Sequence, residues 1–317
     1  MIMDILNLGI FFVSFIVTFY LMEPFIKKAR QKGFVVRDMY KKDKREIPSI
    51  GGLVILSGIV ISLIFAEFFT TMMVPLLIFY FIVFVFSLYG LTDDLFGFKG
   101  KRQKVWVLFL LALPIAILTR DTNITLFFYE IELGWAYAFI FAPLYITVVA
   151  NLINMHSGYN GLSGGLTLIL LVSCALKAFI IGKVDNVYLI VPVIGALTAF
   201  MYYNLYPARV FLGNIGPFLI GSALGGFIVL SDIEFFGFII LIPHIINFLM
   251  WLYWCLVMSK VPHIKFGTLR EDGTIKPPNG LTIKYFVTKL FKVNEPQAVL
   301  VCYGITGFFC VIGLLFF

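Results

Sequence analysis

Apolar residues in this chain come in long unbroken runs separated by short polar stretches. Ten runs are candidate helices, at roughly 5–26, 50–68, 72–91, 104–120, 136–154, 162–182, 187–204, 214–231, 235–258 and 296–317. A helix needs about 20 apolar residues to cross the hydrocarbon core of a bilayer. The longer runs meet that length, and the shorter ones are expected to be tilted or partly buried in protein. The pattern predicts an all-α polytopic membrane protein of about ten transmembrane helices, in a single domain over residues 1–317. A soluble protein with one large core is excluded by the number of such runs. The first run continues past 20 residues without a small-residue cleavage site, so it reads as a retained helix. Between runs, 121–135 alternates enough for a short hairpin. The stretch 259–292 is too long and too rich in Gly, Pro and charge for a bare turn, and it predicts an ordered functional loop.

Composition agrees. Hydrophobic residues are 61% of the 317, against about 45–50% in soluble domains, and the mean hydropathy is +1.01. The four cysteines, at 174, 255, 302 and 310, lie in apolar runs without metal-type spacing. Charge then gives the runs a direction. Of the 24 Lys and Arg, nine fall in 27–46, four in 99–104, one at Arg209 and seven in 260–292, all after odd-numbered runs. The even-numbered loops hold Glu67, Asp121, Glu130, Glu132, Asp185, Asp232 and Glu234, with only Arg120 and Lys183 as basic company. By the positive-inside rule the odd-numbered loops are cytoplasmic and both termini lie outside. The expected location is a multi-pass cell membrane protein (endoplasmic reticulum in a eukaryote). The net charge of +7 is concentrated on one face, where it attracts anionic membrane lipids; no nucleic-acid partner is expected. Lys177 lies near the outer end of the sixth run, where it can snorkel.

The polar motifs sit on that same face, in loops near 27–49, 92–104, 155–164, 205–213 and 259–295. The stretch 150–165 holds three asparagines, a histidine and four glycines, and no charge. Amides and glycines suit close backbone approach to a ligand and oxygen donation to a metal. Asn151 and Asn154, three apart, share one helix face. Asp93 and Asp94 end the third run, and adjacent carboxylates at a membrane boundary are costly unless paired, solvated or binding a cation. Neighbours on a helix point about 100° apart, so the two carboxylates cannot do the same job. Lys104, at the mouth of the fourth run, is placed to neutralise phosphate. Asn214 opens the eighth run, either capping that helix or ligating a cation. His156 and His263 are each weak evidence for acid–base work. Carboxylates, amide oxygens, glycine-rich backbone and cations on one face suit two anionic phosphates brought together over Mg²⁺, with Mn²⁺ as the alternative ion. No P-loop and no dinucleotide-binding fingerprint after a strand occur.

These residues, in this order, resemble the polyprenyl-phosphate N-acetylhexosamine-1-phosphate transferases, of the glycosyltransferase 4 type. That superfamily includes bacterial phospho-MurNAc-pentapeptide translocase and eukaryotic dolichyl-phosphate GlcNAc-1-phosphotransferase. The resemblance covers nearly the whole chain. It rests on the basic first loop closing in Ile47-Pro-Ser-Ile-Gly-Gly-Leu53, on Asp93-Asp94 with Lys104, on Asn151-Leu-Ile-Asn154 with Ser157-Gly-Tyr-Asn-Gly-Leu162, on Phe211-Leu-Gly-Asn214, and on Pro262-His263 before a long loop. Ser157-Gly-Tyr-Asn-Gly161 is closest to the archaeal and eukaryotic dolichol branch. The resemblance implies Asn154 as a magnesium ligand and Gly158, Asn160 and Phe211 as a uracil pocket. Lys104 would bind phosphate, and Asp93 and Asp94 would handle the acceptor phosphate. His263 and its loop, with Lys265 and Arg270, would read the acetamido sugar. One position departs: the family's usual metal-holding Asp is Asn214, which removes a negative charge and leans the metal more on the substrate diphosphate.

The expected reaction is transfer of GlcNAc-1-phosphate, or a similar HexNAc-1-phosphate, from a UDP-sugar to dolichyl or polyprenyl phosphate, releasing UMP. A precursor transferase for a pseudomurein or peptidoglycan-type wall is the alternative within the class. A cation-coupled transporter is the alternative outside it, and it would place acidic or amide residues near the mid-membrane of several runs. A homodimer is compatible with the resemblance alone.

Overall fold

The computed structural model describes residues 2–69, 74–97, 101–119, 122–126, 129–258 and 266–317. Twelve α-helices run through the described residues: α1 (Ile2–Gln31), α2 (Gly52–Glu67), α3 (Val74–Phe96), α4 (Lys101–Ala112), α5 (Ala142–Met155), α6 (Leu162–Ile180), α7 (Val191–Asn204), α8 (Ile215–Leu230), α9 (Glu234–Ile240), α10 (Ile242–Leu256), α11 (Ile283–Phe291) and α12 (Glu295–Phe316). Each of the ten apolar runs is largely helical where described. Five helical segments are long and apolar enough to cross a membrane, and a sixth is counted if α9 and α10, bent by 62°, form one broken span. The break has a local cause. Pro243 lies in the first turn of α10, and its missing N–H and fixed φ favour starting a new helix there over continuing the old one.

The bundle is built around α8. Every residue from Ile215 to Val229 is buried, as expected of a helix that is apolar on all sides. Small residues let its neighbours approach, which is how helices associate where lipid offers no hydrophobic contrast. A Cβ on Gly221 would lie 2.7 Å from the Cα of Ala150 in α5, and one on Gly225 would lie 3.0 Å from the Cα of Ile146. A Cβ on Gly90 of α3 would lie 2.7 Å from the Cα of Ile215, and one on Gly52 of α2 would lie 2.6 Å from the backbone N of Gly216. These contacts gather the N-terminus of α8, the C-termini of α3 and α5 and the N-terminus of α2 at one end of the bundle.

The outer faces are apolar and exposed. Leu8, Phe12, Ile16 and Tyr20 on α1, spaced one helical turn apart, are 48–71% exposed, a stripe that water would not tolerate in a monomer. The molecule is a multi-pass membrane protein.

Three small antiparallel ladders decorate the loops. β1 (Val35–Arg37) pairs with β2 (Glu46–Pro48) inside the basic first loop. β3 (Asn123–Leu126) pairs with β4 (Tyr129–Glu132), the hairpin expected in 121–135. β5 (Thr268–Leu269) pairs with β6 (Ile275–Lys276) in the stretch 259–292, which also contains α11 and is ordered where described. Lys177 is buried, its ammonium 5.8 Å from the centre of the Phe236 ring rather than in solvent.

Candidate active site

The two adjacent aspartates divide their work as helix geometry requires. Asp94 accepts the backbone N–H of Asn214 through both oxygens at 2.8 Å and that of Ile215 at 3.1 Å. It therefore caps α8 from outside the helix, where unpaired N–H groups and the helix dipole favour an anion. The side chain of Asn214 makes no cap bond, so the capping alternative for that residue falls. Its Nδ2 instead donates to Asp93 Oδ2 at 3.2 Å, and its Oδ1 has no hydrogen bond among the described residues. Asp93, 9% exposed, accepts the Lys104 ammonium through both oxygens at 2.6 and 2.7 Å. Asp93, Asp94, Lys104 and Asn214 thus form one contiguous cluster.

Gly213 is what allows it. Its φ is +70°, and a Cβ there would lie 2.6 Å from Asp94 Oδ2 and 2.9 Å from the Cα of Ile50. Only glycine combines that conformation with that approach. The strand-like segment beside it is tied down by backbone bonds: Phe211 donates to the Pro48 carbonyl and accepts from Gly51, both at 2.8 Å. This brings Phe211 to the closing residues of the first loop.

Asn151 and Asn154 end α5 at the same end of the bundle. Asn151 spends its amide N–H on the Thr147 carbonyl at 2.8 Å. The half-buried side chain of Asn154 has no hydrogen bond among the described residues, while the backbone carbonyl of Asn154 accepts from Ser157 Oγ at 2.9 Å. The loop that follows turns on Gly158, with φ +105°, which packs against Lys284 Nζ. Lys284 comes from α11. Its ammonium donates to the Ser157 carbonyl at 2.7 Å and sits about 5 Å from the Tyr159 and Tyr285 rings, at 5.1 and 5.0 Å. Burial pushes the Tyr159 phenol well above its usual range, so it stays protonated against the lysine.

Asn160 is 4% exposed and already held by the protein. Its backbone N–H donates to Glu295 Oε1 at 2.6 Å, its Nδ2 to Asp38 Oδ2 at 3.2 Å, and its Oδ1 accepts from Ala208 at 2.9 Å. Lys41 bridges the two carboxylates, at 2.6 Å from Glu295 and 3.1 Å from Asp38. Lys41 is one of the nine basic residues read as a topology signal; it is 5% exposed. Asp38, Glu295 and Lys284 carried no sequence signal beyond their charge.

His156 closes α5. It is 2% exposed, and neither ring nitrogen has a hydrogen-bond partner among the described residues. Its ring packs edge-on against His244, with centroids 4.7 Å apart. Burial, then His244 and Lys284, hold its pKa well below the usual imidazole value. Arg270 uses its guanidinium locally, on Thr274 Oγ1 at 3.0 Å and the Ile275 carbonyl at 2.8 Å. His263 and Lys265 lie outside the described residues.

Residues 76–232 match the model of glycosyl transferase family 4. The phospho-N-acetylmuramoyl-pentapeptide-transferase of Nautilia profundicola is 30% identical over 259 residues, 71% of this chain and 72% of that protein. The chain belongs to this family. A Saccharolobus solfataricus protein that carries the name of a UDP-N-acetylglucosamine–dolichyl-phosphate N-acetylglucosaminephosphotransferase is 28% identical over 315 residues, 96% of this chain and 94% of that one. The matched segment holds Asp93, Asp94, Lys104, Asn154, Gly158, Asn160, Phe211 and Asn214, while Arg270 lies beyond it.

Proposed function

We propose that this protein transfers an N-acetylhexosamine 1-phosphate, GlcNAc-1-phosphate first among them, from a UDP-sugar to dolichyl or another polyprenyl phosphate, with release of UMP. The observation that carries this reading is the Asp93–Lys104–Asn214 cluster, capped by Asp94, at the bundle end where the glycine-rich loop also lies. The names of relatives similar over most of the chain support the reaction class. An oxygen of the lipid phosphate attacks the β-phosphorus, the bond from that phosphorus to the bridging oxygen breaks, and the electron pair leaves on UMP. Both substrates are anions, so the protein's contribution is positioning and charge. Lys104 supplies a cation fixed on Asp93. Asp93 or Asp94 orients the lipid phosphate or takes its proton.

The donors fit a hard divalent cation in kind: the Asp93 carboxylate and the amide oxygens of Asn214 and Asn154. Among the described residues no three His, Cys, Asp or Glu gather into a metal site. Mg²⁺, or Mn²⁺ in its place, would therefore be held by these few oxygens together with the substrate diphosphate, and would screen the charge that develops on UMP. In this reading Gly158, Asn160 and Phe211 receive the uracil, and the loop with His263, Lys265 and Arg270 receives the sugar. All ten helical runs cross the membrane, the site faces the cytoplasm and both termini lie outside, as the charge asymmetry of the loops supports.

The test uses purified protein in detergent with dolichyl phosphate, Mg²⁺ and UDP-GlcNAc labelled in the sugar. Label should enter the organic phase with matching UMP, and chelator should stop both. Transfer from a different UDP-sugar alone would keep the reaction and change the product; transfer from none would overturn the reading.

A further inference from the structure

Three segments distant in sequence converge on Asn160. Asp38 and Lys41 come from the turn between β1 and β2, Ala208 from the segment after α7, and Glu295 from the first turn of α12. All four polar groups are nearly sealed from solvent, at 3% for Asp38, 5% for Lys41, 4% for Asn160 and 2% for Glu295. Burying three ionisable side chains is a poor way to stabilise a fold, because an apolar trio of similar volume often does as well. What the charges supply here is orientation. The Ala208 N–H requires an acceptor and the Asp38 carboxylate requires a donor, so the Asn160 amide has only one allowed flip. Glu295 fixes the same residue through its backbone N–H, and Lys41 holds both carboxylates in place. After these bonds the Asn160 side chain retains one unspent donor, the second Nδ2–H.

We infer that Asp38, Lys41 and Glu295 are positioning residues for nucleotide recognition: they lock Asn160 so that its one remaining amide N–H is a fixed donor for a carbonyl of the uracil ring. The inference rests on the UDP-sugar reading above. It assigns the three charges to substrate binding rather than to the chemical step, and to the nucleotide rather than to the lipid phosphate.

The test is UMP affinity by calorimetry in detergent, together with separate KM values for UDP-GlcNAc and dolichyl phosphate. In Asp38→Asn/Lys41→Met/Glu295→Leu the three charges are replaced by neutral side chains, which keeps the buried volume filled without leaving a lone charge. UMP affinity should fall, and the UDP-sugar KM rise, by about tenfold or more, since an ångström of misplacement costs that much or more. The dolichyl phosphate KM should stay within about twofold, a split that a merely structural role would not produce. Asp38→Asn alone, which leaves the Lys41–Glu295 pair intact, should weaken UMP severalfold in the same sense and keeps the test open if the triple variant does not fold. A folded variant with wild-type UMP affinity, or an equal rise in both KM values, would overturn the inference while the transfer reading stands. Wild-type protein that binds no UMP would overturn both.

Discussion

Asp94 accepts the backbone N–H of Asn214 through both carboxylate oxygens at 2.8 Å, from a helix 120 residues away in sequence. The contact makes one residue of the aspartate pair the cap of α8 and leaves the other, Asp93, to face Lys104. Replacing a capping carboxylate by alanine costs about 1 kcal/mol, with a range of about 0.5–2. Asp94→Ala should therefore lower stability by that amount in a detergent unfolding assay and lower activity as well, because Asn214 loses its anchor. Gly213→Ala should do the same by steric force. An Asp94→Ala protein with wild-type stability would show that the cap is not an energetic one.

Asp93 and Lys104 should behave as a unit. Lys104→Met removes a fixed cation from the site, and Asp93→Asn removes the group that fixes it. Loss of one preorganised charge-stabilising group costs about 10²–10³ in kcat. Each single variant should lose activity on that scale, and the double variant should be scarcely worse than either. Independent, multiplying losses in a double-mutant cycle would separate the two roles.

The ten apolar runs, the 121–135 hairpin and the singling out of Asp93, Asp94 and Lys104, which the structure gathers into one cluster, are legible in the sequence, because each is a local pattern: length, alternation, or paired charge at a boundary. The knot around Asn160 is not. Lys41 belongs to a basic loop, where the default is a solvated face, and its partner Glu295 lies 254 residues away. Burial of that kind is created by tertiary contact and leaves no periodicity behind. The β1–β2 ladder and the α9–α10 break are intermediate cases. Pro243 marks the break, but an apolar run of that length reads first as one continuous span. The alternative roles for Asn214, cap or ligand, needed the structure for a simple reason. The residue that caps α8 is on α3.

Stability should depend on pH through His156. Burial lowers its pKa well below the value of about 6.5 expected in an unfolded chain. Between those two values the unfolded state binds the extra proton, so stability rises with pH in that window and is flat above it. The His244 ring packs edge-on without a hydrogen bond to His156, and the Lys284 ammonium repels an imidazolium there. Acidification from pH 7.5 to 5 should lower the melting temperature in detergent, and His156→Leu should flatten that fall. A melting temperature that rose on acidification would reverse the sign and refute the assignment.

Asn214 is where a change should add a function rather than remove one. Its Nδ2 donates to Asp93 Oδ2 at 3.2 Å, so Asn214→Asp replaces an attraction with a third carboxylate beside Asp93 and Asp94. Without a divalent cation the three would repel, and the variant should melt below the wild type. With a cation bound the added charge becomes an additional hard oxygen ligand. Mg²⁺ or Mn²⁺ should therefore raise the melting temperature of Asn214→Asp more than that of the wild type. The Mg²⁺ concentration for half-maximal transfer should fall severalfold, on the order of the tenfold that about 1.4 kcal/mol represents. The melting experiment reads the site without turnover, so it separates a metal effect from a catalytic one. Equal shifts in both proteins would mean that residue 214 does not face the cation, and that Asn154 and the substrate phosphates carry the coordination without it.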